Sequence, residues 1–226
     1  MDLRSKYNIP SSTVVTIAGT VGVGKSTMTR ALANVLGFRT SLESVDNNPY
    51  LDLFYKDFER WSFHLQIYFL AERYKEQKRM FEYGGGFVQD RSIYEDTGIF
   101  ARMHYEKGTM AKVDYETYTS LFEAMVMTPY FPHPDVLIYL EGSFEDILER
   151  VRLRGRPMEQ ETPVDYWMEM HRRYEEWSAS FNACPVLRLN INDYDLVGNQ
   201  DQSLEAIVER IAHIIRPSES LKTAGR

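Results

Sequence analysis

The sequence predicts an α/β protein with one five-stranded parallel sheet covered by helices on both faces. Three observations carry that prediction. Strand-like and helix-like segments alternate along the chain, which calls for crossover connections between parallel strands. The strand-like segments are near-continuously apolar, as strands buried on both faces must be. A glycine-rich loop of phosphate-binding form joins the first strand to the first long helix. The chain has 226 residues, enough for one substantial core, and no Pro- or Ser-rich linker or internal repeat divides it. Residues 1–217 therefore read as one domain. Residues 218–226 lack apolar periodicity and read as a frayed tail.

The elements follow in order. Thr13–Ala18 is a short β-branched strand. Gly19, Thr20, Val21, Gly22, Val23, Gly24, Lys25 and Ser26 then match G-x-x-x-x-G-K-[ST], with Thr27 following in the first turn of the helix Ser26–Leu36, which Gly37 stops. Glycines let successive amides face one concavity, and a helix N-terminus adds positive potential there. Lys25 can reach terminal phosphates and the Ser26 hydroxyl can ligate magnesium. Further strands are expected at Arg39–Glu43, Gly86–Asp90, Val136–Leu140 and Val186–Leu189. Helices are expected at Arg60–Glu82, Ile93–Tyr105 and Tyr115–Met127, the last ending before Pro129, Pro132 and Pro134. A further helix starts at Ser143 and runs into an arginine-rich stretch, where Gly155 and Pro157 stop it.

Composition narrows the function classes. A formal net charge of −7 argues against a nucleic-acid backbone as the main partner. The single cysteine, Cys184, cannot form an intrachain disulfide, and Met1–Pro10 lacks the apolar core of a secretion signal, so a cytoplasmic setting is expected. Apolar runs such as Val136–Leu140 are far short of a membrane span.

Ligands of open parallel sheets gather at the carboxyl ends of the strands. Glu43, Asp90, Arg91 and Glu141 stand there, and an acid beside a phosphate loop can hold magnesium or deprotonate an acceptor hydroxyl. Polar residues also simply end buried strands, and nothing else accompanies Glu141. On the long helix, Phe63, Gln66, Leu70 and Arg73 share a face. A nucleobase would satisfy the polar pair and could stack on Phe63; a solvated helix edge or a dimer contact fits the spacing as well. Arg150, Arg152, Arg154 and Arg156 suit either a solvated basic face or a phosphate-clamping lid, and their Gly/Pro-punctuated setting in an acidic chain favours the lid.

Taken together, five segments resemble the deoxyribonucleoside kinases, and most closely their bacterial deoxyadenosine/deoxycytidine-type branch. They are GTVGVGKST, Glu43 upstream of NNPYLDLFY, WSFHLQIYFLAER, DRSIYED and RLRGRPMEQE, and the resemblance extends from Val14 to about Tyr194. It implies a P-loop kinase fold with an Arg-rich lid over about 152–163, Mg2+ with ATP or another nucleoside triphosphate as donor, and a homodimer. Glu43 then becomes the base for the 5′-hydroxyl, held by Arg91, and Asp90 positions magnesium alongside Ser26. Gln66 becomes the base reader, Tyr55 and Glu159 bind the 3′-hydroxyl, and Arg150, Arg154 and Arg156 lie over the phosphates. Asp193 and Tyr194 line the donor's adenine. Arg73 and Asp96 match the polar pair of relatives that accept deoxycytidine and purine deoxynucleosides, so thymidine is expected to be rejected. Deoxyguanosine is the alternative acceptor within the family. A nucleoside monophosphate kinase, or a P-loop ATPase or switch, is the alternative outside it. The switch reading lacks an N-K-x-D base-reading sequence.

Overall fold

Strands β1 (Val14–Ala18), β2 (Arg39–Ser41), β3 (Phe87–Asp90), β4 (Val136–Glu141) and β5 (Val186–Asn190) pair in the order β2-β3-β1-β4-β5, each neighbour parallel. They belong to a computed structural model that describes residues 2–42, 48–129, 131–194 and 200–215. Every residue of β1 and β3 is buried, as the unbroken apolar runs require. At the sheet edge, β5 alternates between buried and half-buried positions.

The helices are α1 (Leu3–Lys6), α2 (Lys25–Leu36), α3 (Leu51–Lys56), α4 (Phe58–Tyr83), α5 (Ile93–Glu95), α6 (Arg102–Glu106), α7 (Lys112–Val126), α8 (Phe144–Arg154), α9 (Pro157–Gln160), α10 (Val164–Ser180) and α11 (Gln200–Ile215). On one face of the sheet, Val15, Ile17, Ile138 and Leu140 pack with Leu32 of α2 and Ile207 of α11. Residues of the opposite parity, Leu137 and Tyr139, pack with Trp167, Met170 and Tyr174 of α10. A third cluster joins α4 to α7 through Leu70, Ile93 and Tyr118. Among the described residues no helix is long and apolar enough to cross a membrane.

Most boundaries lie within a residue of the sequence reading, and a few differ by more. Helix α4 starts earlier, at Phe58, because the Asp57 side chain caps it by accepting from the Arg60 backbone N–H at 3.0 Å. Helix α7 likewise begins three residues sooner. The expected helix Ile93–Tyr105 is continuous in direction but not in pitch, since Asp96–Ala101 between α5 and α6 is π-helical. At its centre Gly98 lies against the Trp177 ring of α10, where a Cβ would stand 2.7 Å from two indole atoms. Strand β2 ends at Ser41; Glu43 and the tail from 218 lie outside the described residues.

Gly98 reverses an ordinary propensity rule. In an exposed helix Gly→Ala gains about 1 kcal/mol. Here Gly98→Ala is expected to cost about 1–3 kcal/mol, because the added methyl must displace a packed indole. Equilibrium denaturation of the variant measures the sign; stabilisation would mean that α10 yields freely at this contact.

Candidate active site at the carboxyl ends of the strands

The phosphate loop leaves the sheet at the end of β1 and turns directly into α2. Two of its glycines are required by space. A Cβ on Gly19 (φ +145°) would stand 2.8 Å from the Leu140 carbonyl oxygen, and one on Gly22 (φ +88°) would stand 2.7 Å from Val151 Cγ2. Lys25 is buried, and its Nζ donates to the carbonyls of Gly19 at 2.8 Å and Thr20 at 2.9 Å.

Parallel pairing of β1 with β3 puts Ile17 beside Asp90. Ser26, at the first turn of α2, thereby reaches Asp90, and its hydroxyl donates to Asp90 Oδ2 at 2.5 Å. The other carboxylate oxygen, Oδ1, is buried with no hydrogen-bond partner among the described residues. A hydroxyl and an unsatisfied carboxylate oxygen make the hard, all-oxygen donor set that Mg2+ takes, so these residues fit that ion. Arg91 follows at φ +66°, a left-handed conformation uncommon for a non-glycine residue. Its backbone N–H donates to Ile17 O at 2.9 Å and its guanidinium lies 4.9 Å from the centre of the Phe100 ring.

A cavity of about 300 Å³ opens between the phosphate loop and helices α3 and α4. Lys25, Ser26, Asp90 and Arg91 line one end, and Tyr55, Gln66, Asp96 and Glu159 line the rest. Gln66 is buried, and its Oε1 has no partner among the described residues, so an acceptor waits in the wall of the cavity. Asp96 is held from behind by Arg73, whose Nε donates to Asp96 Oδ2 at 3.1 Å and whose Nη1 donates to the Asp90 carbonyl at 3.1 Å. Arg73 itself is not a lining residue. Glu159 is buried and takes both oxygens to Arg154 Nη2 at 2.6 Å, with Arg156 Nη1 3.5 Å away. Burial, and then the charge of Glu159, push the Tyr55 phenol well above its usual range.

A second cavity of about 360 Å³ adjoins the first and shares Gly24, Thr27 and Arg150 with it. Tyr194, Met28 and Leu189 line it, and Arg150 Nη1 donates to the Val23 carbonyl at 3.3 Å. Asp193 is exposed, with its backbone N–H donating to Asn190 O at 3.1 Å, and does not line the cavity.

Beside Arg73 and Asp193, a further expected residue fails to line the cavities, and Glu141 joins none of the site. Phe63 lies outside the cavity and packs in the α4–α7 cluster beside Leu70 and Tyr118. The aromatic wall comes instead from Phe69, three residues beyond Gln66 and so on its side of the helix, and from Phe100 of the π-helical segment. Glu141 lines neither cavity and accepts from Arg188 Nε at 2.9 Å. Phe54 and Tyr166 also line the nucleoside-sized cavity; their aromatic neighbours in sequence gave them no distinguishing signal.

Comparison with known proteins falls in line with this geometry. The deoxynucleoside kinase family model matches residues 15–216. A deoxyadenosine/deoxycytidine kinase of Bacillus subtilis (strain 168) is 69% identical over 214 residues, covering 95% of this chain and 98% of that enzyme. A deoxyadenosine kinase from M. mycoides solved with bound dATP superposes with a TM-score of 0.75 at 30% identity, over 88% of this chain and 98% of the other. A second structure of that enzyme, with products dCMP and a flexible dCDP, gives a TM-score of 0.75 at 29% identity over the same shares. With a family match across almost the whole described fold, and a phosphate loop facing a nucleoside-sized cleft, the chain belongs to the deoxynucleoside kinase family.

Proposed function

We propose that the protein transfers the γ-phosphoryl group of ATP to the 5′-hydroxyl of deoxyadenosine and deoxycytidine. The observation that carries this reading is the single cavity whose one end is the phosphate loop and whose other wall holds the unpartnered Gln66 carbonyl. The names of its relatives support the acceptor: the Bacillus subtilis enzyme carries both nucleosides in its name, and the M. mycoides enzyme holds dCMP as a product.

In this reading the nucleoside lies along the cavity with its base at Gln66 and its 3′-hydroxyl between Tyr55 and Glu159. The Asp96 carboxylate, fixed by Arg73, presents a polar wall to the base. A thymine methyl there would leave buried polar groups without partners, at about 1–3 kcal/mol each. The 5′-oxygen forms its bond to the γ-phosphorus as the bond from that phosphorus to the ADP oxygen breaks, and the proton of the hydroxyl passes to Glu43, the base two residues beyond the end of β2. Arg91 holds that carboxylate and the oxygen in place. Lys25 and the loop amides bind the donor phosphates, and Arg150, Arg154 and Arg156 neutralise the equatorial charge of the moving group. Ser26 and Asp90 would hold Mg2+, which when bound neutralises phosphate charge. The segment 152–163 acts as the lid, excluding water that would otherwise take the phosphoryl group. The second cavity takes the donor's adenine beside Tyr194. Two copies pair through α4 and α7, whose Phe81, Tyr83, Val113 and Leu121 leave apolar side chains exposed. A cytoplasmic location suits an enzyme fed by ATP.

Incubation with Mg·ATP and a panel of deoxynucleosides, deoxynucleotides or water alone tests the reaction. Phosphate on deoxyadenosine and deoxycytidine, with little on thymidine, is expected; turnover only on monophosphates or with water would overturn the reading, and a deoxyguanosine preference would overturn the base assignment. Glu43→Gln is expected to lower kcat by about 10²–10⁴ with nucleoside binding retained; near-normal turnover removes Glu43 from the chemistry. For Gln66→Ala the lost pairing of about 1–3 kcal/mol raises the nucleoside KM about 5- to 150-fold. An unchanged substrate profile in steady-state kinetics would refute the base-reading role.

A further inference from the structure

Glu95 is fully buried, lines neither cavity, and has no part in the reaction described above. Three pieces of the site nevertheless meet at its carboxylate. One oxygen, Oε2, accepts from the Ser92 backbone N–H at 2.8 Å and the Ser92 hydroxyl at 3.3 Å, closing a capping box just after Asp90 and Arg91. The other, Oε1, accepts from the Tyr174 phenol of α10 at 3.0 Å and from the Gly19 N–H, where the phosphate loop begins, at a longer 3.5 Å. Arg91 Nε stands 3.8 Å from the same oxygen.

The two oxygens make different demands. A capping box accepts Gln as readily as Glu, so nothing on the Oε2 side requires a charge. On the Oε1 side every hydrogen-bond neighbour is a donor and Arg91 is a cation, a setting that the amide NH2 of a Gln capped through its oxygen opposes and that an ionised carboxylate suits best. An ionised group in this position costs stability unless it is paired, and a neutral one would fold as well. We infer that Glu95 is a positioning residue whose carboxylate locks Arg91 and the start of the phosphate loop to α10, the helix that follows the lid segment. The inference rests on the assignment of Arg91 and Gly19–Ser26 to the reacting phosphates.

The groups facing Glu95 give the arrangement a pH dependence. Burial pushes its carboxyl up to about 7, with Asp96 adding to the rise; Arg91, Lys25 and the Ser92 N–H oppose it. The Tyr174 phenol from α10, the Gly19 N–H and the Ser92 hydroxyl supply the remaining contacts. The positioning form is the ionised one, gained as pH rises through about 7 and lost as it falls. Stability runs the other way. The folded protein keeps a proton that the unfolded chain has released, so stability declines as pH rises from the ordinary carboxylate range to about 7.

Glu95→Gln separates these effects. Because the capping box survives, the variant is expected to keep its nucleoside KM within about threefold and to melt no lower than wild type at pH 8. Its kcat falls about 10- to 100-fold, and the acid limb near neutrality disappears from the kcat profile. Tyr174→Phe is the second variant: it removes one donor to the carboxylate, so the acid limb moves to higher pH. Wild-type kcat and acid limb in Glu95→Gln overturn the inference, as does a Tyr174→Phe profile that superposes on wild type. Arg91→Ala keeps the two layers of the argument distinguishable. Wild-type turnover there defeats the underlying site assignment; collapse there beside a fully active Glu95→Gln defeats only the role given to Glu95.

Discussion

Parallel pairing of β1 between β3 and β4 is the constraint on which the rest of the site depends. Because Ile17 is in register with Asp90 and Ala18 with Tyr139, the chain that leaves β1 at Gly19 emerges between two neighbouring strand ends. The loop that follows has almost no lateral freedom, since the Leu140 carbonyl and Val151 close on its glycines. Its end at Ser26 consequently meets Asp90, and the Arg91 backbone is tied to Ile17 rather than to a fourth element. A register shift of one residue would move every side chain of β1 to the opposite, equally covered face of the sheet and carry Ser26 away from the acid.

What the sheet assembles is an unusual density of buried charge. Lys25, Arg73, Asp90, Arg91, Glu95, Asp96 and Glu159 are all buried within one region of the molecule. Apolar residues of similar volume would serve stability as well or better, because desolvating such groups costs several kcal/mol each before pairing repays it. Their arrangement suits instead a site that must hold a polyanion and a polar base away from water, where each fixed dipole acts at low dielectric. The pairs are also shared. Arg73 braces Asp96 and the Asp90 carbonyl at once, and Glu159 draws in both Arg154 and Arg156. Through Arg73 the Asp96 side of the cavity is connected to the end of β3, and Glu159 ties the arginines that close α8 to α9.

The features legible in the sequence are those with a local cause. The phosphate loop, the apolar strands and the arginine run stopped by Gly155 each announce themselves within a dozen residues, and the five strands follow from composition alone. Gln66 and Arg73 stood out as a polar pair on an otherwise apolar stripe, a spacing that by itself favours a solvated helix edge or a dimer contact over a ligand. The aromatic neighbour of Gln66 was not legible: helical spacing offers Phe63 and Phe69 as equals, and only the docking of α4 against α7 decides which one is turned to the cavity. The π-helical turn was hidden too: local propensities favour ordinary helix there, and the Trp177 ring against which its Gly98 lies is 79 residues away in the chain. Glu95 reads locally as a helix cap, and its second set of partners comes from the start of the phosphate loop and from α10.

A crystal structure with deoxycytidine and a non-hydrolysable ATP analogue tests the central claim most directly, namely that one cleft holds acceptor and donor face to face. The account predicts the base edge on the Gln66 carboxamide inside the cavity of about 300 Å³, the sugar between Tyr55 and Glu159, and the 5′-hydroxyl directed at the phosphate loop. A nucleoside bound outside that cavity, or bound within it with its 5′-hydroxyl turned away from Lys25 and Arg91, would contradict it.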